Sequence, residues 1–295
     1  MLNTALKKLR VLVTPLIVLL LAILSACVLG FIIAPLFGDA SLYKLLNKLT
    51  LVLLMLSLFP VMHALKATPA ALGFASRAMI AKQIRLGFAF GIVSLTPVML
   101  VLYGLGVSVI DTSQPWTLSW LSEKTAAAFG SGLLIACLEE PLFRGVLLLS
   151  LMRSVSKTTA IVVSALYYAG LHFLTTKTHI PASEMSWAYA VQLMTEAWLN
   201  LFNPEIFTAL LALFVVGIAL AVIRTAGSHC LGISIGCHAG WVFMIKLNKA
   251  FFNTDFQSNY AFLVNAYDGV IGWLVAAWLM LGLGVYLYKK HATCS

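Results

Sequence analysis

Apolar residues in this chain run in long unbroken stretches rather than in alternation with polar ones. Eight stretches stand out, at about 11–36, 49–65, 86–110, 125–151, 158–176, 206–226, 228–246 and 268–288. A helix that crosses a bilayer needs roughly 20 apolar residues. Continuous runs favour helices over the alternating strands of a barrel. The pattern therefore predicts an all-α, polytopic membrane protein with about eight transmembrane helices in one bundle. No repeat or low-complexity linker divides the chain, so residues 1–295 are read as a single membrane-embedded domain. The second and seventh runs are short, and the fourth carries charges in its middle. The loop 177–205 holds a further amphipathic segment. Trp187, Val191, Met194, Trp198, Leu201 and Phe202 form an apolar stripe, with Gln192, Thr195, Glu196 and Asn200 off it. It reads as a helix lying on the outer interface, either a passive connector or a substrate gate.

Composition narrows the class further. Hydrophobic residues make up 61% of the chain and charged ones 10%, against roughly a quarter charged in soluble domains. This much apolar surface also excludes disorder. The net charge of +9 raises the question of nucleic acid, and the placement of the charges answers it. With the N-terminus in the cytoplasm, twelve Lys and Arg fall inside, beginning with Lys7, Lys8 and Arg10. Only Lys44, Lys48, Lys124, Lys177, Lys246 and Lys249 fall outside, and every acidic residue beyond the spans falls outside too. The Lys/Arg count thus predicts cytoplasmic N- and C-termini. The surplus serves topology and anionic lipid contact, and no nucleic-acid partner is needed.

Two further features are set aside. Leu24-Ser25-Ala26-Cys27 after an apolar run resembles a lipoprotein cleavage site, yet the chain stays apolar from Val28 to Phe37. An uncleaved anchor is expected. The cysteines Cys27, Cys137, Cys230, Cys237 and Cys294 make no disulfide framework. Cys237 reads as packing rather than as a nucleophile, and Cys294 is not placed for prenylation.

Three charges lie inside a span: Glu139, Glu140 and Arg144, around Pro141. Each costs about 2.5–3.5 kcal/mol at mid-bilayer even on the lenient insertion scale. Glu140 and Arg144 are spaced i,i+4 in the favourable order for an ion pair. Glu139 points about 100° away and is left for chemistry, unless the trio is only a buried ionic clamp. Pro141 has no N–H and is expected to kink the helix. The fifth run holds Tyr168 and His172 on one face, with Gly170 between them. In the seventh, Gly232, Gly236 and Gly240 form a small-residue stripe for close helix approach, and His238 lies opposite with Ser234, Trp241 and Val242. Counted from the cytoplasmic ends at about 1.5 Å per residue, Glu139, His172 and His238 all lie roughly 15–21 Å deep. A histidine on an apolar helix usually serves packing; one carboxylate and two histidines at one depth point to a site.

Together these residues resemble the CPBP family, membrane proteases that include the type II CAAX prenyl endopeptidases and bacterial relatives linked to bacteriocin processing and immunity. The family pattern is Glu-Glu-x-x-x-Arg, Phe-x-x-x-His and His-x-x-x-Asn on successive core helices of an eight-helix bundle. Here the first motif is complete at Glu139, Glu140 and Arg144. The second has Tyr168 in place of Phe before His172, and the third has His238 with Val242 in place of Asn. The likeness covers a catalytic core of about 125–246. It implies an intramembrane glutamate-type endopeptidase in which Glu139 and His172 activate a water and His238 stabilises the oxyanion. Val242 cannot donate, so Ser234, Trp241 and Tyr168 are the oxyanion or supporting candidates, unless activity is weak or absent. No cofactor is implied; zinc held by Glu139, His172 and His238 is the alternative. The expected partners are the bilayer and a membrane-anchored or lipidated protein or peptide substrate, in a bacterial inner membrane. A non-proteolytic role in immunity or partner sequestration is the rival reading.

Overall fold

The computed structural model describes residues 2–292, with side chains from Leu9 onward. The side chains of Lys7 and Lys8, and all of Cys294, lie outside the described residues. The chain is mostly helical: α1 (Leu2–Ile33), α2 (Leu42–Ala64), α3 (Arg77–Gly104), α4 (Leu118–Glu140), α5 (Leu148–Met152), α6 (Lys157–His172), α7 (Trp187–Asn200), α8 (Phe207–Arg224), α9 (Leu231–Phe251) and α10 (Trp273–Ala292). Side-chain hydroxyls of Ser41, Thr117, Ser156 and Ser186 cap α2, α4, α6 and α7 by accepting a backbone N–H at the first turn. Four segments are long and apolar enough to cross a membrane: Leu9–Phe37, Leu42–Ala64, Arg77–Gly104 and Pro204–Arg224. Every predicted run coincides with a helix, though the helices at the first four runs begin seven to nine residues earlier than the apolar pattern placed them.

Two expectations are corrected. The third apolar run does not continue as helix to residue 110. Gly106 adopts φ +69°, a left-handed conformation suited to glycine. Ser108–Ile110 (β1) then pairs antiparallel with Phe252–Thr254 (β2), so the fold is helical with one small two-stranded ribbon. Pro141 does not simply bend the fourth span. From Pro141 to Leu147 the helix widens into a π-helical turn before regular geometry resumes in α5. The missing N–H at Pro141 removes one i→i−4 bond and leaves room for the wider ring.

The loops gather at two ends. At one end Arg153 donates to the Leu65 carbonyl, Lys157 Nζ to Thr225 O at 2.8 Å, and Gln83 to His229 O at 2.6 Å. At the other, Ser41 bridges Pro181, Asp111 N–H donates to Phe251 O, and Asn265 donates to Glu205 O. Asp111 anchors this second end. Its carboxylate accepts from Ser113 Oγ at 2.6 Å and Gln114 Nε2 at 2.8 Å, and these bonds pull its pKa down to about 2.

Packing differs sharply around the bundle. The glycine stripe of α9 meets α3 backbone to backbone. A Cβ on Gly236 would stand 2.1 Å from the Ile84 carbonyl oxygen, and one on Gly240 2.5 Å from that of Phe88. The contact is reciprocal, because Gly87 and Gly91 of α3 face the carbonyls of Ile233 and Cys237 at 2.3 and 2.5 Å. On the opposite side α1, α2, α6 and α7 leave a cavity of about 280 Å³.

Candidate active site

The π-helical turn, α6 and α9 bring the polar residues of three separate segments into the bundle interior. Glu140, at the last position of α4, is fully buried. Its Oε1 accepts from His238 Nδ1 at 3.0 Å, its Oε2 accepts from Ser234 Oγ at 2.5 Å, and Arg144 Nε stands 3.7 Å away. A buried carboxylate is tolerable only when paired and hydrogen-bonded, and Glu140 is both. The expected i,i+4 pair is present, but it is one contact of a hub: Glu140 also orients His238, which spacing within one helix could not show.

Arg144 is equally buried, and none of its side-chain nitrogens finds a hydrogen-bond partner among the described residues. Its guanidinium lies over the Tyr168 ring, 4.4 Å from the centroid, a cation–π contact that offsets part of the cost. Phe143 meets the same ring edge-on, with centroids 5.3 Å apart. Tyr168 is thereby clamped between charge and aromatic edge.

Glu139 has a different environment. Its side chain keeps 23% exposure, lines the cavity, and its Oε2 has no hydrogen-bond partner among the described residues. His172 Nε2 is 4.0 Å from that oxygen and His238 Nε2 is 3.9 Å from it. Predicted separately on three helices, Glu139, His172 and His238 thus surround one small gap. His172 Nδ1 donates to the Tyr168 carbonyl at 2.7 Å, which leaves Nε2 of a neutral ring as an acceptor facing Glu139. Tyr168 Oη reaches His238 Nε2 at 3.5 Å.

The supporting candidates separate. Ser234 donates to Glu140, and Trp241 Nε1 donates to Ser94 Oγ at 2.9 Å. Both hydrogens are committed away from the gap, and Val242, half-buried one turn after His238, has none to offer. Sequence reasoning missed Ser94 as the partner of Trp241, and the stripe Gly87–Gly91 that mirrors the glycines of α9. Small residues at i,i+4 on α3 were the available signal. The predicted apolar stripe of α7 is also redrawn: Ala190, Leu193 and Ala197 are the buried face, Met194 and Trp198 line the cavity, while Val191 and Phe202 stay exposed.

Among the described residues no group of three His, Cys, Asp or Glu stands close enough to hold a metal ion. Tetrahedral ligation at about 2.1 Å would hold donor atoms about 3.4 Å apart, tighter than the spacings around Glu139 Oε2. The arrangement suits a bridging oxygen better: a water about 2.8 Å from each partner spans 4 Å.

Comparison with known proteins agrees with the motifs. Residues 120–244 match the family described as Type II CAAX prenyl endopeptidase Rce1-like. No curated protein and no solved structure matches the chain. The matched stretch contains Glu139, Glu140, Arg144, Tyr168, His172, Ser234, His238 and Trp241, and it points to a membrane peptidase of the CAAX-protease type. Residues 120–244 are an Rce1-like type II CAAX prenyl endopeptidase domain, a member of the CPBP family.

Proposed function

We propose that this protein is an intramembrane glutamate endopeptidase that cleaves a membrane-anchored or lipidated protein or peptide. The observation that carries the proposal is Glu139 Oε2, without a hydrogen-bond partner among the described residues and with two histidine nitrogens about 4 Å away. A water held between Glu139 and His172 gives its proton to Glu139 while its oxygen attacks the scissile carbonyl. His172 Nε2 accepts a hydrogen bond from the second hydrogen, which stays on the oxygen, and so aims the lone pair. As the C–N bond breaks, Glu139 returns the proton to the leaving nitrogen. His238, oriented by Glu140, stands where the oxyanion forms. No metal takes part in this reading.

The cavity supports a hydrophobic substrate. Its lining from α1, α2 and α7 includes Leu19, Ile23, Leu46, Leu193 and Trp198, with Asn47 and Lys48 among them. These residues lie in the half of the bundle toward the Ser41–Pro181 end. We read that end as the outer face of a bacterial inner membrane, with eight helices crossing and both termini cytoplasmic. The gathering of loops by parity at two ends supports this.

Glu139→Gln and His172→Ala, tested in reconstituted membranes, are each expected to lower cleavage by about 10²–10⁴-fold, with no sensitivity to a zinc chelator. Unchanged cleavage in both variants sinks the proposal, and chelator sensitivity favours zinc. Val242 supports a second reading, a non-proteolytic sequestering protein of the same fold. That reading wins if both substitutions leave the biological effect intact while disruption of Gly236 abolishes it.

A further inference from the structure

The hydrogens around the gap can be assigned one at a time, and they leave a shortage of donors. Glu139 Oε2 is an acceptor. His172 Nε2 is an acceptor, because Nδ1 carries the proton given to the Tyr168 carbonyl. His238 donates from Nδ1 to Glu140, so Nε2 presents a lone pair when the ring is neutral and can donate to an oxyanion only as an imidazolium. With both imidazoles neutral, three acceptors border one space. Ser234 and Trp241 have sent their hydrogens elsewhere, and Val242 has none. Among the hydrogen bonds described around the gap, the one that brings a hydroxyl to His238 Nε2 is that of Tyr168.

That hydroxyl is held in place but weakly used. Tyr168 is 2% exposed, its ring fixed by Arg144, Phe143 and His172, whose ring centroid lies 4.5 Å away. Its contact with His238 Nε2 at 3.5 Å is well beyond the roughly 2.7–2.8 Å of a full hydroxyl hydrogen bond. A buried tyrosine hydroxyl ordinarily finds a better partner. Hydrogen bonds of this kind often tighten only when substrate arrives.

We propose that Tyr168 is a catalytic residue: its hydroxyl rests against His238 Nε2 and donates to the substrate carbonyl oxygen as negative charge develops there. This rests on the peptidase reading above. It also gives Tyr168 two roles, since its main-chain carbonyl fixes the tautomer of His172 while its side chain serves the oxyanion. The proton stays on the phenol throughout; only its acceptor changes. A phenylalanine would keep the ring over Arg144 and lose the donor.

The test uses the full chain in proteoliposomes with a pool of internally quenched, lipid-anchored peptides, followed by the best-cleaved member. Tyr168→Phe is expected to lower kcat by about 10²-fold, the usual effect of removing one oxyanion donor, with KM within twofold and an unchanged melting temperature. Purely structural damage would lower the melting temperature or raise KM as well. Cleavage that needs Glu139 but is unaffected by Tyr168→Phe overturns this assignment alone. So does a change confined to KM or to melting temperature. Wild-type chain that shows no Glu139-dependent cleavage overturns the peptidase reading and this role with it.

Discussion

The two sides of this bundle solve opposite problems. Where α3 meets α9, four glycines lie so close to four carbonyls of the facing helix that no side chain fits between the backbones. Where α1, α2 and α7 face the site, the same bundle leaves about 280 Å³ open. His238 and Glu140 belong to the tight side, and Glu139 and His172 look onto the open one. The contrast teaches a division of labour. Close backbone contact holds α9, and with it His238, in fixed register, because packed interfaces do not deform gradually. The loose side can admit a substrate without disturbing that register.

Substitutions can break this contrast from either side. The largest effect is expected from Gly236→Leu, whose Cβ would lie 2.1 Å from the Ile84 carbonyl oxygen. Overpacking of this kind costs about 3 kcal/mol, seen as a melting temperature lower by about 10 °C and a sharply reduced folded yield in detergent. Met194→Trp fills the cavity on the other side, where Met194 touches Cys27 across 3.7 Å of sulfur contact. Melting is expected to move by no more than about 2 °C, while KM for a lipid-anchored peptide rises about tenfold, or roughly 1.4 kcal/mol of lost binding. If Met194→Trp unfolds the chain instead, the open side is part of the frame and the division fails.

The smallest effect belongs to Asp111, outside both sides. Hydrogen bonds from Ser113 and Gln114 hold its folded pKa at about 2, below the unfolded value of about 3.9. A depressed carboxylate stabilises the fold above the unfolded value, and that contribution drains away as pH falls through the folded one. Melting temperature should decline between about pH 4 and pH 2, and Asp111→Asn should lack that component of the decline.

How far the molecule could be read from its sequence depends on the range of each signal. Apolar runs marked the helices because desolvation acts on every residue locally. They misplaced Ser108–Ile110 because a short apolar strand and the end of an apolar helix have the same composition. Glu139, His172 and His238 stood out because each is costly in lipid. The i,i+4 rule anticipated Arg144 beside Glu140, and their 3.7 Å separation agrees. Neither the hydrogen bonds of Glu140 to Ser234 and His238 nor the stacking of Arg144 on Tyr168 was legible. They join residues 94, 98 and 24 positions apart, and only the packing of α9 and α6 against the π-helical turn decides them.

That turn has one more consequence. Between Pro141 and Leu147 each residue advances by less than the 100° of a regular helix, so α4 and α5 are out of phase with one another. Loss of a single residue from Gly145–Leu147 would restore ordinary winding and turn α5 relative to Glu139. No chemistry-bearing side chain would be removed. In this short stretch the number of residues, more than their identity, is what the site depends on.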